Sequence, residues 1–245
     1  MTARWFRIAL MATIALAIAG CSSEQIENFP DKIPGLADAN LHVKSVRSIK
    51  TIVVHRVAVM PLIDYPDVTE PDSIQEGAAQ SLTAQIYSQM QLAGGWEVVP
   101  EDDVSDAMQK LPPTTRANLE ENAFALARLV SADSVIYGTV HEYQDRVGSS
   151  YAASQPASVA FTLMFASLTV RQELWRAQFA KTQESLSQNA FNIVNFFQNQ
   201  ARWVRAVDLA SEGVEDAIRN LHGQLNLTPN VHYFPVPNEL KPGPQ

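Results

Sequence analysis

The residues best suited to acid–base or metal chemistry are five histidines, His42, His55, His141, His222 and His232. None stands three or four positions from another, so no helix can present a His-Glu-x-x-His pair to zinc. His141, beside Glu142 in a stretch of alternating apolar residues, reads as a structural histidine. The chain has one cysteine, Cys21, which excludes a disulfide framework and a multi-cysteine zinc or iron–sulfur site. Gly-x-Ser-x-Gly, Ser-x-x-Lys, Gly-x-x-x-x-Gly-Lys-[Ser/Thr] and Gly-x-Gly-x-x-Gly are all missing, and with them the common hydrolase, acyl-transfer and nucleotide signatures. A dispersed Ser-His-Asp triad has no spacing to read. Carboxylates gather twice, at Asp64, Asp67, Glu70 and Asp72 and at Glu101, Asp102, Asp103 and Asp106. Neither group has the calcium-loop spacing with its central glycine. Both precede expected helices, where carboxylates complement the helix dipole. The expectation is therefore no catalytic residue, no metal and no cofactor.

The chemistry that does have a signature is acylation of Cys21. Arg4 and Arg7 are followed by an uncharged apolar run over 8–19 and then by Ile18-Ala19-Gly20-Cys21. This is a signal-peptide layout, and the run is shorter than the about 20 residues a permanent span needs. The last four residues resemble the bacterial lipobox, in which the cysteine is diacylated, the chain is cleaved before it, and the new amino terminus is acylated. A lone thiol in an oxidising compartment would be a liability, and a thioether-linked lipid removes it. Several acyl chains hold a protein far more firmly than one. Ser22, where an aspartate would retain such proteins at the inner membrane, points to the periplasmic face of a Gram-negative outer membrane. Losing residues 1–20 removes Arg4 and Arg7 and takes the net charge from −8 to −10. That charge argues against a nucleic-acid partner, which needs a basic footprint.

The elements behind this anchor come from a chain of 245 residues, 46% hydrophobic and 18% charged, enough for one sizeable core. Residues 21–50 are polar, broken by Pro30, Pro34 and Gly35, and read as a lipidated flexible tether. Such a tether reaches at most ~100 Å and spans ~30 Å as a coil. Residues 51–64 read as a strand and 73–92 as a helix with a Ser73/Glu76 capping box and a stripe of Ile74, Ala78, Leu82, Ile86 and Met90. A short strand over 96–99 follows, then helices over 102–111, capped by Asp102 or Asp103, and 115–130. Strands are expected over 134–143, 157–170 and 174–185, with a polar loop at 145–156 and a turn at 171–173. The pattern is helical over 187–221, and 226–245 is a proline-rich irregular tail. The order β-α-β-α-α-β-β-β-α predicts a single α/β (α+β) domain over 51–225 with a mixed central sheet flanked by helices. Within 190–203, Phe191, Ile193, Val194, Phe196, Phe197 and Trp203 cover more than one helix face can bury. Phe191, Phe196, Phe197 and Trp203 are therefore either deep core or an interaction surface.

Val57-Ala58-Val59-Met60-Pro61-Leu62 resembles the opening strand of the CsgG/PelC/LpoB-like outer-membrane lipoproteins. Ala132-Asp133-Ser134-Val135-Ile136-Tyr137-Gly138-Thr139-Val140 resembles that group's entry into its next sheet strand, and Glu173-Leu174-Trp175-Arg176-Ala177 its tryptophan-bearing hairpin. The resemblance covers about 51–221 and rests on fold signals. No pair of long alternating hairpins able to build a membrane barrel is present, which departs from the pore-forming member. The resemblance implies a non-enzymatic accessory lipoprotein that scaffolds envelope assembly or export through protein contacts, often as an oligomer. The alternatives are a tethered activator of a periplasmic enzyme such as a peptidoglycan synthase and, third, a periplasmic hydrolase with a dispersed site. The expected partners are the membrane, through the lipid anchor, envelope proteins, and further copies of the chain, with no small-molecule substrate.

Overall fold

The computed structural model describes residues 40–149, 152–183, 203–225 and 227. Strands β1 (Leu41–Ser45), β2 (Arg56–Val59), β3 (Ile63–Asp64), β4 (Glu97–Val98), β5 (Ser134–Gln144), β8 (Ser158–Ser167) and β9 (Gln172–Thr182) form one mixed sheet in the order β1-β9-β8-β5-β2-β4. β3 continues the line of β2 along the same edge of β5. The sheet is parallel among β2, β4 and β5 and antiparallel across β5, β8, β9 and β1. Strands β6 (Val147–Ser149) and β7 (Ala152–Gln155) make a separate hairpin.

Helices lie on both faces. The side chains of Val57, Val59, Ile136, Val140, Phe161, Phe165, Trp175 and Phe179 bury one face against α1 (Ala78–Ala93) and α4 (Ala206–Gln224). Ala58, Val135 and Tyr137 face the other way, against α2 (Glu101–Met108) and α3 (Leu119–Leu129). The period-2 alternation of β2 and β5 is thus a division between two cores. All ten residues of β8 are buried, as a strand in the middle of three layers requires. On α4 the buried positions Ala206, Ala210, Gly213 and Ala217 are small enough for the helix to lie close on the sheet. Trp175 ties the two layers by donating its Nε1–H to Asn220 Oδ1 at 3.1 Å.

Two motif residues have plain structural reasons. The carboxylate of Asp133 accepts the backbone N–H groups of His55 (2.8 Å) and Arg56 (3.1 Å), pinning the start of β2 to the start of β5. At Gly138 a Cβ would stand 2.2 Å from the Thr162 carbonyl oxygen, so the β5–β8 approach admits glycine there.

The expected single mixed α/β domain and its main element order are present, and several boundaries differ. Leu41–Ser45, expected as tether, is an edge strand. Leu41 and Val43 are too short an alternation to stand out beside Pro30, Pro34 and Gly35, yet pairing with β9 at one edge suffices to hold them. Of the strand expected over 51–64, Arg56–Val59 and Ile63–Asp64 form, while Arg47–Thr51 is a 3₁₀ turn that buries Ile49. The first helix begins at Ala78 rather than Ser73, after Gly77 at φ 83°. Ser73 and Ile74 are claimed by β5 instead: Ser73 Oγ donates to the His141 carbonyl, and Tyr143 N–H to the Ser73 carbonyl at 2.8 Å. α2 starts at Glu101 behind Pro100, so Asp102 and Asp103 sit in its first turn and cap nothing. The loop expected at 145–156 contains the β6–β7 hairpin, and the turn expected at 171–173 lies just earlier, with Arg171 left-handed at φ 53°. Residues 203–205 are not helical, and α4 begins at Ala206.

Candidate functional site, a polar cluster on the sheet beyond helix α3

Helices α2 and α3 pack over β2 and β5, and past α3 the same sheet face turns polar. The strand register lines up His42, Gln178, Thr162 and Thr139 in one row and Lys44, Arg176, Met164 and Tyr137 in the next. Neighbours in a row stand directly opposite across strands, close enough to interact.

The second row carries a charge network. Arg176 donates to Glu173 twice, Nε to Oε1 and Nη2 to Oε2, each at 2.7 Å. The two side chains are 18% and 12% exposed, so this bidentate pair is largely desolvated. Burial works against the Arg176 charge, and the Glu173 hydrogen bonds and carboxylate overcome it, leaving the guanidinium pKa above its ordinary value. Tyr137 Oη lies 3.5 Å from Glu173 Oε2. Burial first, then the negative charges of Glu173 and Glu120, drive the phenol far above its usual range, so Tyr137 stays protonated. Glu120, in the first turn of α3, is also raised, by partial desolvation and then by repulsion from Glu173, with Arg176 pulling the other way. One cation thus serves two carboxylates and a phenol, joining α3, β5 and β9.

The first row holds a hydroxyl–imidazole contact. His141 Nε2 is 3.0 Å from both Thr139 Oγ1 and Thr162 Oγ1. That spacing is within reach for a base and a nucleophile. Both threonines, however, are 6% exposed and embedded in the sheet. The outer side of His141 meets Tyr65 edge to face at 6.1 Å, and Arg116 lies 4.2 Å over the Tyr65 ring.

The histidines fall on separate elements: His42 on β1, His55 before β2, His141 on β5, and His222 on α4 against Trp96. His232 lies outside the described residues. The acidic groups are also spread. Asp67 holds its own turn by accepting Thr69 N–H at 2.8 Å, and Glu101, Asp102 and Asp103 line the first turn of α2. Of the first acidic group, Asp64 accepts the backbone N–H of Ala79 in the first turn of α1, and burial outweighs that bond and leaves its carboxyl above the ordinary value. Among the described residues no group of three His, Cys, Asp or Glu could hold a metal ion. A shallow pocket of about 370 Å³ beside α2 pairs Arg56 and Lys110 with Asp103 and Asp106, a balance that selects neither ligand charge. Of the interaction candidates, Trp203 is half-buried in the extended lead-in to α4. Phe191, Phe196, Phe197 and Cys21 lie outside the described residues. Tyr65, Arg116, Glu120, Glu173 and Arg176 were not singled out from sequence as a site. The available signal was Thr139 and His141 alternating on a strand otherwise fit for burial.

No family model matches the chain, and no curated protein matches it. Solved structures do. A PelC dodecamer from Paraburkholderia phytofirmans is 14% identical, over 74% of this chain and 97% of that one, at a TM-score of 0.44. A lipoprotein from Neisseria meningitidis is 22% identical, over 60% and 95%, at 0.37. The LpoB C-terminal domain from Escherichia coli is 16% identical, over 53% and 83%, at 0.38. These likenesses are distant in sequence and in superposition and carry no argument about activity. The chain is similar to PelC and LpoB in fold alone.

Proposed function

We propose that this protein is a non-enzymatic lipoprotein of the outer membrane, anchored through acylated Cys21 and facing the periplasm, that scaffolds an envelope assembly or export machine through protein contacts. The observation that carries the reading is the placement of the lone cysteine behind an apolar run, with a folded domain beginning at Leu41. Because β1 belongs to the sheet, the tether shrinks to residues 22–40. Its full reach is ~65 Å at 3.3–3.6 Å per residue, and its coil span ~25 Å. A domain so held works beside its own membrane, which favours a scaffold over an activator that must reach an enzyme across the periplasm. The polar cluster supports a binding role over turnover, since its charges are spent on one another and its hydroxyls are buried.

The aromatic run at 190–203 is proposed as the contact surface, with Phe191, Phe196, Phe197 and Trp203 as its anchors. Val204 N–H donates to Gln183 Oε1 at 2.8 Å, so the residues flanking 184–202 meet. Replacing Phe196 and Phe197 by Ser tests this. A folded protein with altered assembly supports a contact surface, and loss of folding assigns the run to the core. The anchor is tested by the intact mass of membrane-purified protein. An acylated chain starting at Cys21 is expected, and a Cys21→Ser variant should leave the membrane fraction.

A further inference from the structure

Among the described residues the main sheet ends in two edge strands, β1 on one side and β4 on the other, ~24 Å apart at five strand spacings of about 4.8 Å. The inner pairing of each edge fixes which main-chain groups it offers. Ala180 N–H donates to the Asn40 carbonyl at 3.1 Å and Val46 N–H to the Leu174 carbonyl at 3.0 Å, so Asn40, His42, Lys44 and Val46 turn their main chain toward β9. Leu41, Val43 and Ser45 turn theirs outward. On β4, Glu97 N–H donates to the His55 carbonyl at 2.7 Å and Val99 N–H to the Val57 carbonyl at 2.9 Å, which leaves the main chain of Val98 facing out. The two edges also differ in charge. Residues 39–55 contain Lys44, Arg47 and Lys50 and no Asp or Glu, and Arg47 and Lys50 are exposed in the turn after β1. Residues 93–109 contain Glu97, Glu101, Asp102, Asp103 and Asp106 and no Lys or Arg. Glu97 is on β4 itself, and the other four are exposed on α2, which follows it.

We infer that β1 of one copy pairs antiparallel with β4 of a second copy, Val43 opposite Val98. This deepens the scaffold reading above and rests on it only in requiring that copies meet. β1 runs antiparallel to β5 and β4 parallel to it, so two copies set side by side in the same orientation bring these edges together antiparallel. In that register Val43 and Val98 exchange both main-chain hydrogen bonds. Both side chains belong to the sheet face that carries α1 and α4. The next pair is Lys44 opposite Glu97, on the other face and at the closer spacing of a non-hydrogen-bonded pair. A slip by one residue sets an outward main chain against an inward one and reverses the faces. A slip by two loses the Lys44–Glu97 pair. Glu97 holds Arg56 at 2.9 Å yet its side chain is 62% exposed, which leaves its carboxylate open to a second cation. The same charges reject like edges. A β1–β1 contact gathers Lys44, Arg47 and Lys50 from both copies, and a β4–β4 contact gathers Glu97 and the α2 carboxylates. The contact is therefore heterologous and propagates head to tail into a ring or a filament, where a like-edge contact would close a two-fold pair.

The test uses the full-length acylated protein in a mild nonionic detergent, oxidised with copper phenanthroline. With Cys21 held by the lipid proposed above, Val43→Cys and Val98→Cys supply the reactive thiols, at a strand spacing a disulfide can bridge. Circular dichroism confirms the fold of each variant. The double variant should give a ladder of dimers, trimers and higher species, a mixture of the two single variants dimers alone, and each single variant only monomer. Cross-linking of Val43→Cys by itself would show like-edge pairing and overturn the inference, as would a double variant that stays uncross-linked. Independently, Lys44→Glu should break the assembly and Glu97→Lys added to it should restore it, and failure of that rescue also counts against the contact. Native mass separates the readings. An assembly without the 43–98 cross-link refutes this contact alone, whereas a monomer removes self-assembly from the scaffold reading as well. A disulfide dimer of the unsubstituted chain would reveal a free Cys21 and refute the anchor instead.

Discussion

Gly213 and Gly223 lie on the same helix, α4, and predict opposite outcomes for the same substitution. Gly→Ala within an exposed helix should stabilise by roughly 0.8–1.0 kcal/mol through helix propensity. At Gly223 a Cβ would meet nothing within 4 Å, so Gly223→Ala should show that gain, reduced near the helix end. At Gly213 a Cβ would stand 2.6–2.8 Å from three ring atoms of Phe179. That ring cannot swing aside, because it is fully buried and stacked on Phe161 at 5.2 Å. Overpacking of this kind costs about 1–3 kcal/mol. Set against the propensity gain, Gly213→Ala should destabilise by up to about 2 kcal/mol, a fall in Tm of up to roughly 8 °C for a domain of this size. Urea and thermal unfolding of the mature chain read both variants. Combining Gly213→Ala with Phe179→Leu should shrink the cost of the alanine, since the contact it strains is removed. A stabilised Gly213→Ala variant, matching Gly223→Ala, would refute the close approach of α4 to the sheet.

Gly138→Ala sets a Cβ against the main chain of β8 rather than a side chain, so a loss beyond ~3 kcal/mol or failure to fold is expected, measured by expression and circular dichroism. Glu173→Gln removes the charge opposite Arg176 in a largely desolvated pair and should cost roughly 1–3 kcal/mol by denaturant titration, with little dependence on salt. At Asp145, burial alone would raise the carboxyl, but the N–H groups of Ala206 and Arg146 and the Arg205 guanidinium outweigh it and hold the pKa below its ordinary value. A lowered folded pKa contributes stability that is present above the unfolded value of about 3.9 and lost as pH falls through the folded one. Asp145→Asn should therefore destabilise at neutral pH and progressively less below about pH 4. A pH-independent difference between the two proteins would contradict that assignment.

What could be read from sequence followed how local each signal is. The stripe of Ala78, Leu82, Ile86 and Met90 and the alternation over 134–143 are periodic and buried as read. Element ends depend on contacts from far along the chain. Ser73 and Glu76 spell a capping box, but the hydrogen bonds of Ser73 to His141 and Tyr143 outbid the helix and moved its start past Gly77. Leu41 and Val43 need β9, more than a hundred residues away, before they are a strand. The polar cluster was hidden for the same reason. Glu120, Tyr137, Glu173 and Arg176 come from three elements, and no spacing joins them until β5, β8 and β9 align in register. His141, read as structural from the sequence, stands 3.0 Å from Thr139 and Thr162, partners that follow only from that register.

The most direct test of the proposed function is native mass spectrometry of the full-length protein released from mild detergent. One spectrum reports the mass of the subunit and the number of subunits. The scaffold reading predicts a subunit beginning at Cys21 and carrying its acyl chains, in a discrete assembly with itself or with envelope partners. An unacylated subunit would contradict the anchor. An acylated but strictly monomeric chain would contradict the scaffold and leave a tethered regulator, its partner to be sought by cross-linking in the envelope.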